Sequence, residues 1–232
     1  MPAAVERYRV ERSFVEVAAL HDDLVATLRD DFGKYADRVH HRRLTAVLDA
    51  VPRQMGRPFR YSVVDRGERA AALGRAVDLL CLARVCHRVR RTAATGVPLA
   101  ADEDARGYKL LLLDVGLVSS MLGVAAHDLE STDLALANEG ALAEQLAGQL
   151  LRLGFPPHRE PVLHTWRREE RGSEAEVDYV VQHGTRVVPV EVKAGTTGSL
   201  KSLHLFMALR KLPTAIRLNA DRPSLTEVRA DT

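Results

Sequence analysis

Three carboxylates and a lysine gather in Glu176-Val-Asp178-Tyr-Val-Val-Gln-His-Gly-Thr-Arg-Val-Val-Pro-Val-Glu191-Val-Lys193. Val and Tyr recur on either side of Gly184-Thr185, which suits a β-hairpin whose two-residue turn has glycine first. With that turn, His183 pairs with Arg186, Asp178 lies opposite Glu191, and Glu176 lies opposite Lys193. Side chains alternate along a strand, so all four project from one face. Directly opposed carboxylates repel, and a fold that keeps such a pair supplies a cation, a proton or solvent. A divalent ion held there would neutralise a phosphodiester and generate hydroxide near neutral pH, so the chemistry in view is metal-assisted hydrolysis. A plainer arrangement uses the same residues. Glu176 and Lys193 could form a surface ion pair worth under about 1 kcal/mol, with Asp178 and Glu191 solvated or tied to nearby Arg side chains.

The elements that must position these residues follow from apolar spacing. Helical periodicity marks about Ser13 to Phe32 (Val17, Leu20, Leu24, Val25, Leu28), Arg38 to Val51, and Glu68 to Leu82, with Ser62 and Asp65 as caps around a short turn. The segment Ala83 to Arg91 alternates like a strand, and Tyr108 to Asp114 reads as its returning partner. Helices followed by such a ribbon make a winged-helix-like module over residues 1–125, closed by a short helix from Gly116 to Leu122. A connection from Gly123 to Asn138 leads into a second domain, 126–232. It comprises a helix from Glu139 to Leu153, a strand from Val162 to Trp166, a charged loop from Arg167 to Ser173, and the hairpin. A helix capped by Ser199 and running to Leu212, then a short strand from Ala215 to Leu218, complete it. The hairpin carries Val177, Tyr179, Val181, Val188, Val190 and Val192 on one face, which places it inside a sheet with helices against it. Pro189 cannot donate to a ladder and points to an edge or a bulge. The fold class is therefore α/β (α+β), two modules in sequence.

Composition excludes several classes. No apolar run approaches the roughly 20 residues of a bilayer span, and Met1-Pro-Ala-Ala-Val-Glu is no signal peptide. Cys81 and Cys86 form no CxxC motif and read as reduced thiols of a cytoplasmic protein. The net charge of +2 conceals an asymmetry: residues 42–91 hold twelve Arg against four Asp or Glu, leaving 21 basic and 27 acidic residues elsewhere. Within that basic stretch Arg88, Arg90 and Arg91, beside His87, could track phosphates; an ordinary solvated strand is the competing account. His40-His-Arg-Arg43 reads as an exposed helix face. Trp166 is a core residue, because one Trp followed by two Arg makes no stacking platform. There is no Gly-x-Ser-x-Gly, so a serine nucleophile elbow is absent.

An Asp on one strand followed by Glu-x-Lys on the next, with Glu144 on the preceding helix, resembles the PD-(D/E)XK nuclease superfamily. Over nearly its whole length the chain is also similar to the C-terminal region of a large family of bacterial and archaeal P-loop ATPases. There an AAA-type core is followed by a winged-helix-like segment and a nuclease-like domain of unknown function. The matching stretches are Met1-Pro-Ala-Ala-Val-Glu-Arg-Tyr, Phe32-Gly-Lys-Tyr, Tyr108-Lys-Leu-Leu-Leu-Leu-Asp-Val-Gly-Leu117, the Glu144 helix, Trp166-Arg, and Glu176-Val-Asp178 through Glu191-Val-Lys-Ala-Gly195. One departure matters. The sequence holds no Gly-x-x-x-x-Gly-Lys-Ser/Thr, so no nucleotide cofactor and no ATP hydrolysis are expected of it. The resemblance puts its start where the ATPase core would end.

What the resemblance implies is a magnesium (or manganese) site held by Glu144, Asp178 and Glu191, with the Val192 carbonyl assisting. Asp178, Glu191 and Lys193 would be the catalytic group, Lys193 orienting or deprotonating water or stabilising the transition state. The helix gives Glu144 little support, since Gly148 has no side chain and Gln149 points about 140° away. The function implied is a phosphodiesterase acting on DNA or RNA. The alternative is a non-catalytic module that binds nucleic acid or a protein partner, such as an ATPase core, and regulates it. No membrane partner is expected.

Overall fold

The computed structural model describes residues 1–35, 38–124, 132–170, 173–195 and 198–227. Parts of the expected connection (125–131) and of the charged loop (171–172) lie outside them. Packing sorts the chain into two units, 1–87 with 110–149 and 88–109 with 150–232.

The first unit is helical. Its helices are α1 (Pro2–Glu11), α2 (Phe14–Tyr35), α3 (Arg38–Arg53), α4 (Tyr61–Val64), α5 (Ala70–Leu82), α6 (Val115–Met121) and most of α7 (Thr132–Leu153). The core forms where the apolar stripes of α3 and α5 meet: Val47, Leu48, Leu73 and Val77 are fully buried. Each such side chain contributes about 1.5–3 kcal/mol when removed from water. Two details differ from expectation. Ser62 lies inside α4, and Asp65 accepts from the Gly67 amide at 2.7 Å instead of capping α5, whose N-cap is Arg69. Also, α7 starts seven residues before Glu139.

One side chain fixes the end of a strand in this unit. Gln145, 1% exposed on α7, accepts from the Leu112 amide at 3.0 Å and donates to the Leu112 carbonyl at 2.8 Å. One turn on, Gln149 accepts from the Val115 amide at 3.0 Å and donates to Asp114 at 3.1 Å. Asp114 itself caps α6 through the Gly116 amide.

A six-stranded mixed sheet organises the second unit, in the order β2-β1-β3-β4-β5-β6. Its strands are β1 (Cys86–Thr92), β2 (Glu103–Leu112), β3 (Leu163–Glu170), β4 (Ser173–His183), β5 (Arg186–Val192) and β6 (Ile216–Leu218). β1 runs parallel to β3 (Val89 beside Leu163) and β5 runs parallel to β6, while β3, β4 and β5 are antiparallel. The ribbon expected to be the wing of the first module is therefore part of this sheet. Local alternation marks a strand but carries no information about a parallel partner some 70 residues away, and that pairing decided the matter. Helix α8 (Lys201–Arg210) covers one face: Leu203 and Phe206 pack with Trp166, Ala175, Val177 and Val180. The Trp166 and Phe206 rings stand 4.9 Å apart, so Trp166 is core, as expected.

The hairpin register holds as counted, from His183 opposite Arg186 through to Tyr179 opposite Val190. Gly184 has φ +60°, the left-handed conformation the turn needs at its first central residue. Pro189 sits in an interior strand, not at an edge. It lies opposite Val180 and one residue ahead of the first β5–β6 pair, Val190 with Ile216, where no ladder amide is called for. Leu200, not Ser199, is the N-cap of α8; the Ser199 hydroxyl reaches only the Lys201 amide, at 3.4 Å.

Strict alternation of β4 fails. His164 pairs with Val180 but Trp166 pairs with Val177, so two steps on β3 oppose three on β4. The extra residue is a β-bulge at Asp178–Tyr179, and it lets Val177 and Val180 enter the same core. Thr165 marks the spot, its hydroxyl donating to the Val177 carbonyl at 2.9 Å.

Candidate functional site

The bulge falls on the first of the acidic residues. One residue beyond the Tyr179–Val190 pair come Asp178 on β4 and Glu191 on β5. Asp178 is half-buried, and its Oδ2 accepts from the Val192 amide at 2.8 Å. Glu191 is 6% exposed. Its Oε1 accepts from Lys193 Nζ at 2.6 Å, as residues two apart on one strand permit. Its Oε2 is buried without a hydrogen-bond partner. A bare carboxylate oxygen in the interior costs free energy unless something fills its place.

The Glu176–Lys193 ion pair of the plainer arrangement does not form. Glu176 pairs instead with Lys109 Nζ at 2.5 Å, and Lys193 turns to Glu191. Lys109, on β2, is 3% exposed, an unusual place for an ammonium. Its charge acts on Asp178 and Glu191 as well as on Glu176. Lys109 was not singled out by sequence. Its signal was present, a charged residue leading directly into Leu110-Leu-Leu-Leu, where burial without a partner would be costly.

The electrostatics of the pair follow from burial. Desolvation pushes the Asp178 carboxyl above its ordinary value; Lys109, the Val192 amide and Lys193 pull it back, and Glu176 adds to the rise. Burial also raises Glu191, with the Asp178 charge adding to it, against the Lys193 bond and Lys109. Three carboxylates thus face two ammonium groups, one negative charge in excess when all are ionised. The loop after β5 makes room for Lys193. A Cβ on Gly198, whose φ is +141°, would stand 2.7 Å from Lys193 Cδ.

These residues fit a magnesium-type ion in a particular way. Among the described residues no group of three or more His, Cys, Asp or Glu is arranged to hold a metal. Magnesium, however, commonly takes one or two carboxylates and keeps its waters for substrate phosphate. Asp178 with the bare Glu191 oxygen meets that smaller requirement. Glu144 belongs to the first unit. It is 8% exposed, and its Oε2 lies 3.0 Å from where a Cβ on Gly56 would stand.

The three arginines of β1 have internal partners. Arg88 stacks over the Tyr108 ring at 5.1 Å. Arg90 pairs with Glu103 at 2.9 Å, and the same Glu103 meets His164 at 2.8 Å. Arg91 donates to the Arg167 carbonyl at 2.9 Å and faces Glu169 at 3.5 Å. Among the described residues no helix is long and apolar enough to cross a membrane.

Comparison with known proteins gives two domain matches. Residues 139–225 match the domain of unknown function DUF4143, often found in C-terminal regions associated with AAA ATPases. No curated protein and no solved structure matches the chain. Residues 1–128, more than half of the sequence, match the domain of unknown function DUF8612, and the chain belongs to that family.

Proposed function

We propose that the chain is a magnesium- or manganese-dependent phosphodiesterase module acting on DNA or RNA, with Asp178 and Glu191 as ion ligands. The observation that carries this reading is the buried, unpartnered Oε2 of Glu191 beside the Asp178 carboxylate. The order helix α7, Asp178 strand, then Glu191-x-Lys193 supports a PD-(D/E)XK-like arrangement.

The bound ion would supply charge neutralisation and activated water. The chain's own residues do the rest. The Val192 amide fixes the Asp178 carboxylate by holding Oδ2. Lys193 holds one oxygen of Glu191 and leaves the other for the ion. In that position its ammonium can stabilise negative charge growing on a phosphate or orient a water. Because Arg90 and Arg91 already have carboxylate partners, nucleic-acid contact through β1 requires those pairs to open.

Cleavage of single- and double-stranded DNA and RNA with Mg2+ and Mn2+ tests the proposal. Activity should be lost in Glu191→Ala and Lys193→Ala. Equal activity in wild type and variants, or none under any metal, would overturn it. A second reading has its own support in the ATPase-associated match over 139–225: a non-catalytic module that binds nucleic acid or a protein partner and regulates a P-loop ATPase in the cytoplasm. Salt-dependent duplex binding without cleavage favours that reading, because phosphate contacts release counterions. Cys81 and Cys86, which form no disulfide, fit a reducing compartment.

A further inference from the structure

We propose that Lys109 is the second fixed cation of this site, a positioning residue standing where a second metal ion would otherwise be held. The site then takes one divalent ion. This inference rests on the metal reading above.

Two-metal phosphodiesterases hold ions about 3.5–4 Å apart and need carboxylates enough for both. Here the third carboxylate is already committed, because Glu176 Oε1 is ion-paired with the Lys109 ammonium at 2.5 Å, a contact of opposite charges without hydrogen-bond geometry. What is left for an ion is Asp178 and the bare, buried Oε2 of Glu191, one residue beyond the Tyr179–Val190 pair on the neighbouring strand. Lys109 is 3% exposed and cannot swing into solvent as a surface lysine does. A lysine is a compact point charge on a flexible stem, the side chain best able to stand in for an ion. Its field reaches both Asp178 and Glu191. It therefore neutralises part of the cluster before any metal arrives and repels a second one.

Titration with Mn2+ near neutral pH, following free Mn2+ by electron paramagnetic resonance and folding by circular dichroism, tests this on the full chain. Wild type should bind one ion. Lys109→Met frees Glu176 beside Asp178 and should bind two. The double variant Lys109→Met/Glu176→Gln removes both members of the buried pair, so it keeps the fold if the single variant does not. It should bind one ion about tenfold more tightly than Glu176→Gln alone, in which Lys109 keeps its repelling charge. Two ions on wild type would overturn the inference. So would one ion at wild-type affinity on Lys109→Met, or equal affinity in the double variant and Glu176→Gln, the latter comparison deciding alone if Lys109→Met is unfolded. No ion on wild type would instead overturn the metal reading itself.

Discussion

Lys193 reaches back two residues along β5 to place its Nζ 2.6 Å from Oε1 of Glu191, while the other oxygen of Glu191 is buried and unpartnered. The lysine thus fixes the carboxylate in one orientation without satisfying it. Preorganisation of this kind holds a ligand oxygen ready and leaves its coordination incomplete.

The burial of Asp178 predicts a pH dependence of stability. Its folded carboxyl binds a proton more tightly than the unfolded one, since burial is the largest influence and raises it. Between the ordinary carboxylate range and the raised folded value, the folded chain carries more protons than the unfolded chain. Stability therefore falls as pH rises through that window. Asp178→Asn removes the cost and keeps an acceptor for the Val192 amide. Without metal near neutral pH it should melt higher, by roughly 2–4 °C for about 1 kcal/mol in a chain of this size. Calorimetry across pH checks this, and the gain should vanish below the ordinary carboxylate range.

Glu176 and Lys109 make a buried pair whose halves depend on each other. Removing either side leaves an uncompensated charge. Lys109→Met should destabilise by about 3 kcal/mol, and adding Glu176→Gln should recover a good part of that loss. Denaturant unfolding of the two singles and the double measures the coupling. Additive losses would show that the pair is not a unit.

Gly198 should resist substitution for two reasons. Its φ of +141° suits only glycine, and a Cβ would press on the Lys193 stem at 2.7 Å. Gly198→Ala is expected to cost about 1–3 kcal/mol and to displace Lys193 from Glu191. Unfolding reads the first effect, and cleavage activity falling toward that of Lys193→Ala reads the second.

In the first unit, Gln145 satisfies both backbone groups of Leu112 from a fully buried position. Gln145→Leu should cost about 2–4 kcal/mol, because an amide and a carbonyl lose their partners together. A loss below 1 kcal/mol, read from urea melts, would mean that other groups or water replace the glutamine.

The hairpin was legible because a two-residue turn fixes register and alternation does the rest. The pairs from His183–Arg186 to Tyr179–Val190 follow from Gly184-Thr185 alone. Where the reading failed, the cause lay outside the local pattern. The bulge at Asp178–Tyr179 is set by pairing with Thr165 on another strand, and it broke the alternation that Val177 and Val180 would otherwise follow. Glu176 chose Lys109 over Lys193 because β2 carries that buried ammonium to it, a contact across 67 positions that no spacing rule reports. The β1–β2 ribbon looked complete as a hairpin, and its parallel bond to β3 is equally non-local. The backbone contacts of Gln145 and Gln149 are not legible in the sequence, because a glutamine on a helix gives no hint of the backbone it will clasp.

The central claim is that Asp178 and Glu191 hold a divalent ion between them. Mn2+ binding to wild type, Asp178→Asn and Glu191→Gln, each shown to be folded, tests it most directly. The account predicts one ion on wild type and at least about a tenfold loss of affinity in each neutral isostere. Equal Mn2+ affinity in all three proteins would contradict it.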